Sequence, residues 1–248
     1  MEEFVEKNIQ KFHEARLRKL EQTNLKNLLK RKNPYLYRAK NLQTAGDLVS
    51  ALLDAQLSSS EEEIFGGFLE DLAIFVAGLS LGAKKSSTSG LDLEYAIRGT
   101  HYLVSIKSGV NWGNSGQWSD LENNFKRASK VLKQSKHVKH VDCILGVSYG
   151  KTKTTIKKGS ITQICGQSFW HMISGDPEFY KKIVKPLGHK AKELNTSFIS
   201  KKSALINRLS AEFITDFCNP TGEIQWEQVV EFNSQNMVAQ STAKKQNH

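Results

Sequence analysis

One short hairpin constrains this chain more than any other segment. In LDLEYAIRGTHYLVSIKSG (91–109), two runs rich in Leu, Ile, Val and Tyr flank Arg98-Gly99. Such runs around two turn-forming residues predict strands over 91–97 and 100–108 joined by a tight turn. Closing that turn pairs Ile97 with Thr100, and the register then sets Asp92 opposite Ser105. Side chains alternate along a strand, so Asp92 and Glu94 share a face, as do Ser105 and Lys107. Two carboxylates and a lysine thereby gather on one side of the ribbon. A divalent cation and an activated water need that combination to hydrolyse a phosphodiester. A surface hairpin can carry the same letters, so the rest of the chain has to weigh in.

Charge is the second constraint. The net charge of +10 is unevenly spread. Residues 1–40 hold eleven Lys/Arg against five Asp/Glu, and 41–120 reverse this with four against ten. Residues 121–160 then carry ten basic residues against two acids, and 181–202 add seven Lys against one Glu. An acidic segment flanked by basic ones is expected where a cation-binding centre must sit against a polyanion such as a nucleic-acid backbone. The three cysteines, Cys143, Cys165 and Cys218, are widely spaced and form no zinc pattern. They suit a reducing cytoplasm as buried small hydrophobes. The charged start is unlike a signal peptide, and no window of about 18 uninterrupted apolar residues predicts a membrane span.

Along the chain, 1–32 reads as helical, Asn33-Pro34 as a break and 42–57 as a second helix. Ser58-Ser59-Ser60 followed by Glu61-Glu62-Glu63 reads as the N-terminus of a new helix running to about Gly78. Residues 82–90 read as a flexible loop. After the hairpin, SGVNWGNSGQW reads as a loop and 119–134 as an amphipathic helix with Leu121, Phe125, Ala128 and Leu132 inward. Residues 141–149 form an apolar strand of the buried kind, 151–159 a lysine-rich loop or edge hairpin, and 190–217 a long helix. Three regions follow: a helical N-terminal region (1–57) able to serve in dimerisation, a core (58–175), and a helical C-terminal region packed on it (176–240).

The order helix, hairpin, helix, strand, helices is that of the PD-(D/E)xK nucleases. SSSEEEIFGGFLEDLAIFVA, GLDLEY, YLVSIKSGVNWGNSGQ, CGQSFWHMISGDPEFY, PLGHKAKELN and IQWEQVVEFN together resemble, in order, the PmeII family of type II restriction endonucleases. The resemblance covers about 58–233. It implies an α/β (α+β) fold with a restriction-endonuclease-like core, whose mixed central sheet is flanked by helices. It also implies Mg²⁺ as cofactor and double-stranded DNA as substrate. A homodimer with one centre per strand is expected, as is a cognate DNA methyltransferase acting in the same restriction-modification system.

Residue by residue, Asp92 matches the acid that opens the nuclease motif and is a candidate Mg²⁺ ligand. Lys107 matches the motif lysine, which orients or deprotonates the attacking water. Ser105 departs from the pattern, which places Glu or Asp two residues before the lysine; a hydroxyl cannot act there as a charged ligand. Glu94, beside Asp92, and Glu70, on the preceding helix, are the candidate replacements, with Glu63 on roughly the same helix face as Glu70. The Ile106 carbonyl is a neutral candidate ligand. A catalytically inactive or repair-type DNA-binding protein of this fold is the alternative. For DNA contact, Asn111, Trp112, Asn114 and Gln117 lie just past the lysine, where amides can bind phosphates, read bases or simply build a turn. Lys126, Lys130 and Lys133 form a basic row on the following helix and, with Arg127, are candidates for phosphate contact, while Lys151 and Lys153 can reach from their loop.

Overall fold

The computed structural model describes residues 1–134 and 138–235. Residues 236–240 of the expected C-terminal region lie outside them. Six strands form one mixed sheet: β1 (Lys84–Lys85), β2 (Leu93–Ile97), β3 (Thr100–Lys107), β4 (His140–Val147), β5 (Thr155–Lys157) and β6 (Ile161–Cys165), in the order β1-β2-β3-β4-β6-β5. The β3–β4 and β4–β6 pairs are parallel, while the outer pairs are antiparallel. The expected register holds, with Ile97 paired to Thr100. Arg98 (φ 48°) and Gly99 (φ 84°) are both left-handed. A two-residue turn needs that conformation to match the twist of its strands.

The helices are α1 (Glu2–Glu21), α2 (Leu25–Arg31), α3 (Pro34–Ala39), α4 (Ala45–Leu81), α5 (Ser115–Lys133), α6 (Gln167–Ser174), α7 (Phe179–Lys182), α8 (Val184–Leu187), α9 (Ala191–Phe217) and α10 (Trp226–Ser234). Two compact units emerge. One combines Met1–Ala15 with Glu61–Leu194, and the other Arg16–Ser60 with 195–235. The N-terminal stretch read as one helical region over 1–57 is thus divided, its first fifteen residues belonging to the sheet unit.

The sheet unit has a core on each face. On one, Leu93, Tyr95, Val104, Ile106 and Ile144 meet Phe68, Leu72, Val76 and Phe169 from α4 and α6. On the other, Leu103, Leu145, Val147 and Ile161 meet Leu121, Phe125 and Ala128 of α5. The helical unit packs Leu25, Leu28, Leu48, Leu52, Leu53, Leu209 and Phe213 together. Its short α3 is started by Asn33, whose side chain accepts from Tyr35 N and Leu36 N, with Pro34 in the first helical turn.

The sequence expectation fails at four places. No new helix opens at Ser58–Ser60, because α4 runs unbroken from Ala45 to Leu81. Ser59 Oγ donates to Ala55 O and Ser60 Oγ to Leu57 O, both at 3.0 Å. The hydroxyls bond back to the preceding turn instead of capping a new one. Second, α5 begins at Ser115 rather than 119. Third, Lys84-Lys85 pairs with β2 where the composition suggests a flexible loop. Fourth, 161–165 is a strand.

By length and composition α4 is apolar enough to cross a membrane. Its buried residues Phe68, Leu69, Leu72, Ala73, Val76 and Ala77 recur on one stripe against the sheet, as a core helix requires.

Candidate active site

Asp92 sits immediately before β2, and its N–H donates to Val104 O at 2.9 Å. The backbone is thus tied to β3 one step from Ser105, as the register predicts. Ser105 Oγ donates to Asp92 Oδ2 at 3.1 Å, and the Ile106 N–H donates to the same oxygen. Asp92 Oδ1 accepts no hydrogen bond among the described residues and is available to a ligand. The Ile106 N–H points out of β3 towards Asp92, and strand geometry sends the carbonyl of the same residue to the same edge. Ser105 itself is fully buried. It occupies the motif-acid position as a donor to Asp92, without access to the open end of the site.

Glu70 reaches the site from α4, one turn beyond Gly66, which faces Ser108 just past the end of β3. The Glu70 carboxyl is held above the usual carboxylate range, first by burial and then by the negative charge of Asp92. Lys85 and Lys107 oppose that shift. Asp92 and Lys107 therefore both lie within electrostatic reach of Glu70. Lys85 joins them although its sequence context is that of a loop; only its pairing to β2 brings it there. Lys107 Nζ lies 5.5 Å from the centroid of the Trp112 ring. Both residues line a cleft of about 250 Å³ with Gly90, Gln117, Asp120, Leu121 and Asn124.

Glu94 shares the strand face of Asp92 but points elsewhere. Its Oε2 lies 3.9 Å from His101 Nε2 and 3.4 Å from Ser86 Oγ. Glu63 is exposed on α4. Its neighbour Glu62 meets Tyr149 Oη at 3.3 Å. Among the described residues no group of three or more His, Cys, Asp or Glu side chains is assembled for a metal. The donor set on offer is the free Asp92 oxygen, the Glu70 carboxylate and the Ile106 carbonyl. Two carboxylates and a neutral oxygen suit a hard divalent cation, whose charge would offset the burial and the Asp92 charge that raise Glu70.

The candidate DNA contacts divide. Asn114 and Gln117 form the capping box of α5: Asn114 Oδ1 accepts from Gln117 N at 3.1 Å, and Gln117 Oε1 accepts from Asn114 N at 3.0 Å. Each carbonyl oxygen has one acceptor site occupied by the cap, and the NH₂ groups take no part in it. Trp112 packs on Trp118, with ring centroids 4.9 Å apart. Asn111 is exposed, beside a cleft of about 170 Å³ formed with Ser108, Gly109, Val110, Trp112 and Tyr149. Arg127 bonds Asn124 Oδ1 at 2.8 Å and Ser89 O at 3.5 Å, tying α5 to the loop before Asp92. Lys126 pairs with Glu122 at 2.8 Å. Lys130, with Lys126 and Lys133, borders a separate cleft of about 600 Å³. Lys151 and Lys153 are exposed between β4 and β5.

A mixed sheet flanked by helices, with an aspartate, a helix glutamate and a lysine at one end of its central strands, is a restriction-endonuclease-like core. The family model for type II restriction endonuclease EcoO109I matches residues 1–195, more than half of the chain, and the chain belongs to that family. Membership makes DNA the substrate and site-specific phosphodiester hydrolysis the reaction class. The match supports a restriction endonuclease family without singling out PmeII. A search of curated proteins finds no match.

Proposed function

We propose that the chain is a Mg²⁺-dependent type II endonuclease that cuts double-stranded DNA at a short specific site, with Asp92, Glu70 and Lys107 as its working groups. The observation that carries this reading is the placement of Asp92, which accepts from Ser105 Oγ and the Ile106 N–H two residues and one residue before Lys107 at the end of β3, with Glu70 of α4 near enough to feel both charges. Asp92 Oδ1, Glu70 and the Ile106 carbonyl would hold the cation, which when bound supplies charge to offset that developing on the scissile phosphate. Lys107, at the mouth of its cleft, orients the attacking water and receives or steers its proton. The Trp112 ring, 5.5 Å from Lys107 Nζ, offers its face to the ammonium. Burial, and then the charge of Asp92, disfavour ionised Glu70, and a bound cation would offset both.

A palindromic duplex presents the same strand twice, which favours a homodimer with one centre per strand and a methyltransferase protecting the same site. The sequence strings shared with PmeII enzymes support kinship with that group. The cysteine usage and the family's general habit support a cytoplasmic setting.

The test is incubation of a plasmid of known sequence with the protein and Mg²⁺, followed by end mapping. Discrete fragments are expected. Asp92→Ala and Lys107→Ala should each lower the rate by roughly 10²–10⁴-fold, the range for removal of an acid–base or charge-stabilising group, while duplex binding persists. A protein that never nicks DNA with any divalent metal refutes the proposal.

A second reading, a catalytically inactive DNA-binding protein of this fold, draws on Ser105 standing where the motif acid belongs. It predicts metal-independent binding and no change in behaviour for Lys107→Ala.

A further inference from the structure

The motif position held by Ser105 carries its own inference, which rests on the metal-dependent reading above. We propose that Ser105 is a positioning residue: with the Ile106 N–H it locks Asp92 Oδ2, so that Asp92 offers one chosen oxygen, Oδ1, to the cation.

Ser105 is 0% exposed, in the middle of β3, and its hydroxyl donates to Asp92 Oδ2 at 3.1 Å. The Ile106 amide donates to the same oxygen. Asp92 is anchored through its own N–H to Val104 O at 2.9 Å. Three bonds from one strand therefore fix both the backbone and the side-chain torsions of a single carboxylate. Both side-chain bonds converge on one oxygen, which leaves the other free among the described residues. A carboxylate carrying two donors on one oxygen cannot rotate to chelate with both without losing them. Asp92 is thereby a one-oxygen ligand by construction.

The same geometry decides what an acid would do at position 105. The side chain there is enclosed and faces the Asp92 oxygen that already takes two donors. A glutamate or aspartate would bury a second negative charge against it and remove the hydroxyl donor. This chain keeps its second carboxylate on α4, at Glu70, and uses position 105 to hold the first. Restoring the motif acid is therefore predicted to damage the site.

The experiment measures Mn²⁺ binding by the loss of its free-ion paramagnetic resonance signal, for the full chain with duplex, beside plasmid cleavage and thermal melting. Wild type and Ser105→Thr, which keeps a hydroxyl, should bind Mn²⁺ alike. Ser105→Ala should bind it roughly 10–100-fold more weakly, the usual effect of removing a partner that orients a ligand, with kcat falling more than KM rises. Ser105→Glu should bind and cleave no better than Ser105→Ala.

Ser105→Ala with wild-type Mn²⁺ affinity overturns the role of Ser105 while leaving the metal-dependent reading intact. So does a Ser105→Glu variant that binds more tightly and cuts faster than wild type, which would mark Ser105 as a damaged motif. A wild-type protein that binds no Mn²⁺ overturns both readings together. A merely structural serine would move the melting temperature and leave the affinity in place.

Discussion

Gly146 is where packing behind the sheet meets the candidate site, and replacing it with alanine tests that link. Gly146 pairs with Ile106 on β3 and with Ile164 on β6. An alanine Cβ at this position would lie 2.2 Å from Phe169 Cε2 and 2.5 Å from Cδ2. Both are far inside van der Waals contact. Phe169 is fully buried, so its ring cannot swing into solvent. Either β4 or α6 must shift. Overpacking of this kind costs roughly 1–3 kcal/mol, and for a chain of this size each kcal/mol lowers Tm by about 2–4 °C. Gly146→Ala should therefore melt roughly 2–12 °C below wild type. Phe169→Leu removes the ring edge, so the double variant should recover at least about 0.5 kcal/mol relative to the sum of the singles. Displacing β4 displaces its partner Ile106, whose amide holds Asp92. A misplacement of about 1 Å there should cost on the order of 10²-fold in cleavage rate. Calorimetric melts of the four proteins and plasmid cleavage at saturating Mg²⁺ measure both effects. A Gly146→Ala melt within about 1 °C of wild type, well below the overpacking range, or strict additivity with Phe169→Leu, would refute the packing argument.

Glu70 makes a pH prediction. Its carboxyl is raised above the usual value of 4.5 in the folded protein, chiefly by burial. Well below 4.5 both folded and unfolded chains hold the proton and Glu70 contributes nothing either way. As pH climbs, the unfolded chain ionises first, so stability is lost until the folded carboxyl has ionised too. At neutral pH without divalent cations, Glu70→Gln should therefore melt higher than wild type, and the gain should vanish at acid pH; a lower melt at pH 7 contradicts this. Added Mg²⁺ should stabilise wild type but not Glu70→Gln, read by the same melts. On the DNA side, Lys130→Ala with Lys133→Ala should lower the slope of log affinity against log salt by roughly 0.9 for each phosphate no longer neutralised, leaving the cut position unchanged. Arg127→Ala should instead lower the melting temperature, because it frees Ser89 and Asn124, and should leave the salt slope in place.

The hairpin was legible because its turn chemistry and its period-2 pattern agree on one register. That register brought Asp92 to Ser105 and put Lys107 at the strand end. Glu70 was legible too, as an acid on the helix before the hairpin. Alternation fixed the face of Glu94 but not its direction, and His101 and Ser86 take its carboxylate. The serine run before Glu61 was ambiguous because a hydroxyl can cap a new helix or bond back into an old one. Packing on both halves of α4 decides for the second. In β6, Ile161, Gln163 and Cys165 alternate inward, but a buried glutamine between two apolar residues masks the pattern. Lys85 was out of reach because a two-residue edge strand has almost no sequence signature.

The structure also separates the basic residues by distance from the chemistry. Gln117 borders the Lys107 cleft, whereas Lys130 and Lys133 border one that includes Val141, at the start of β4. Lys107 pairs with Val147, at the other end of the same strand. From Gln117 to Lys133 the helix rises about 24 Å at 1.5 Å per residue, about seven base-pair steps of duplex at 3.4 Å each along a strand. A short recognition site centred on the active end would be used up before those lysines are reached. For a duplex lying along α5, those lysines are expected to contribute affinity for backbone flanking the site. Near the α5 N-terminus the cap uses one acceptor site on each of the Asn114 and Gln117 carbonyl oxygens, and no bond from either NH₂ group is made within the cap. NH₂ donors of this kind suit phosphate oxygens, purine N7, guanine O6 or thymine O4.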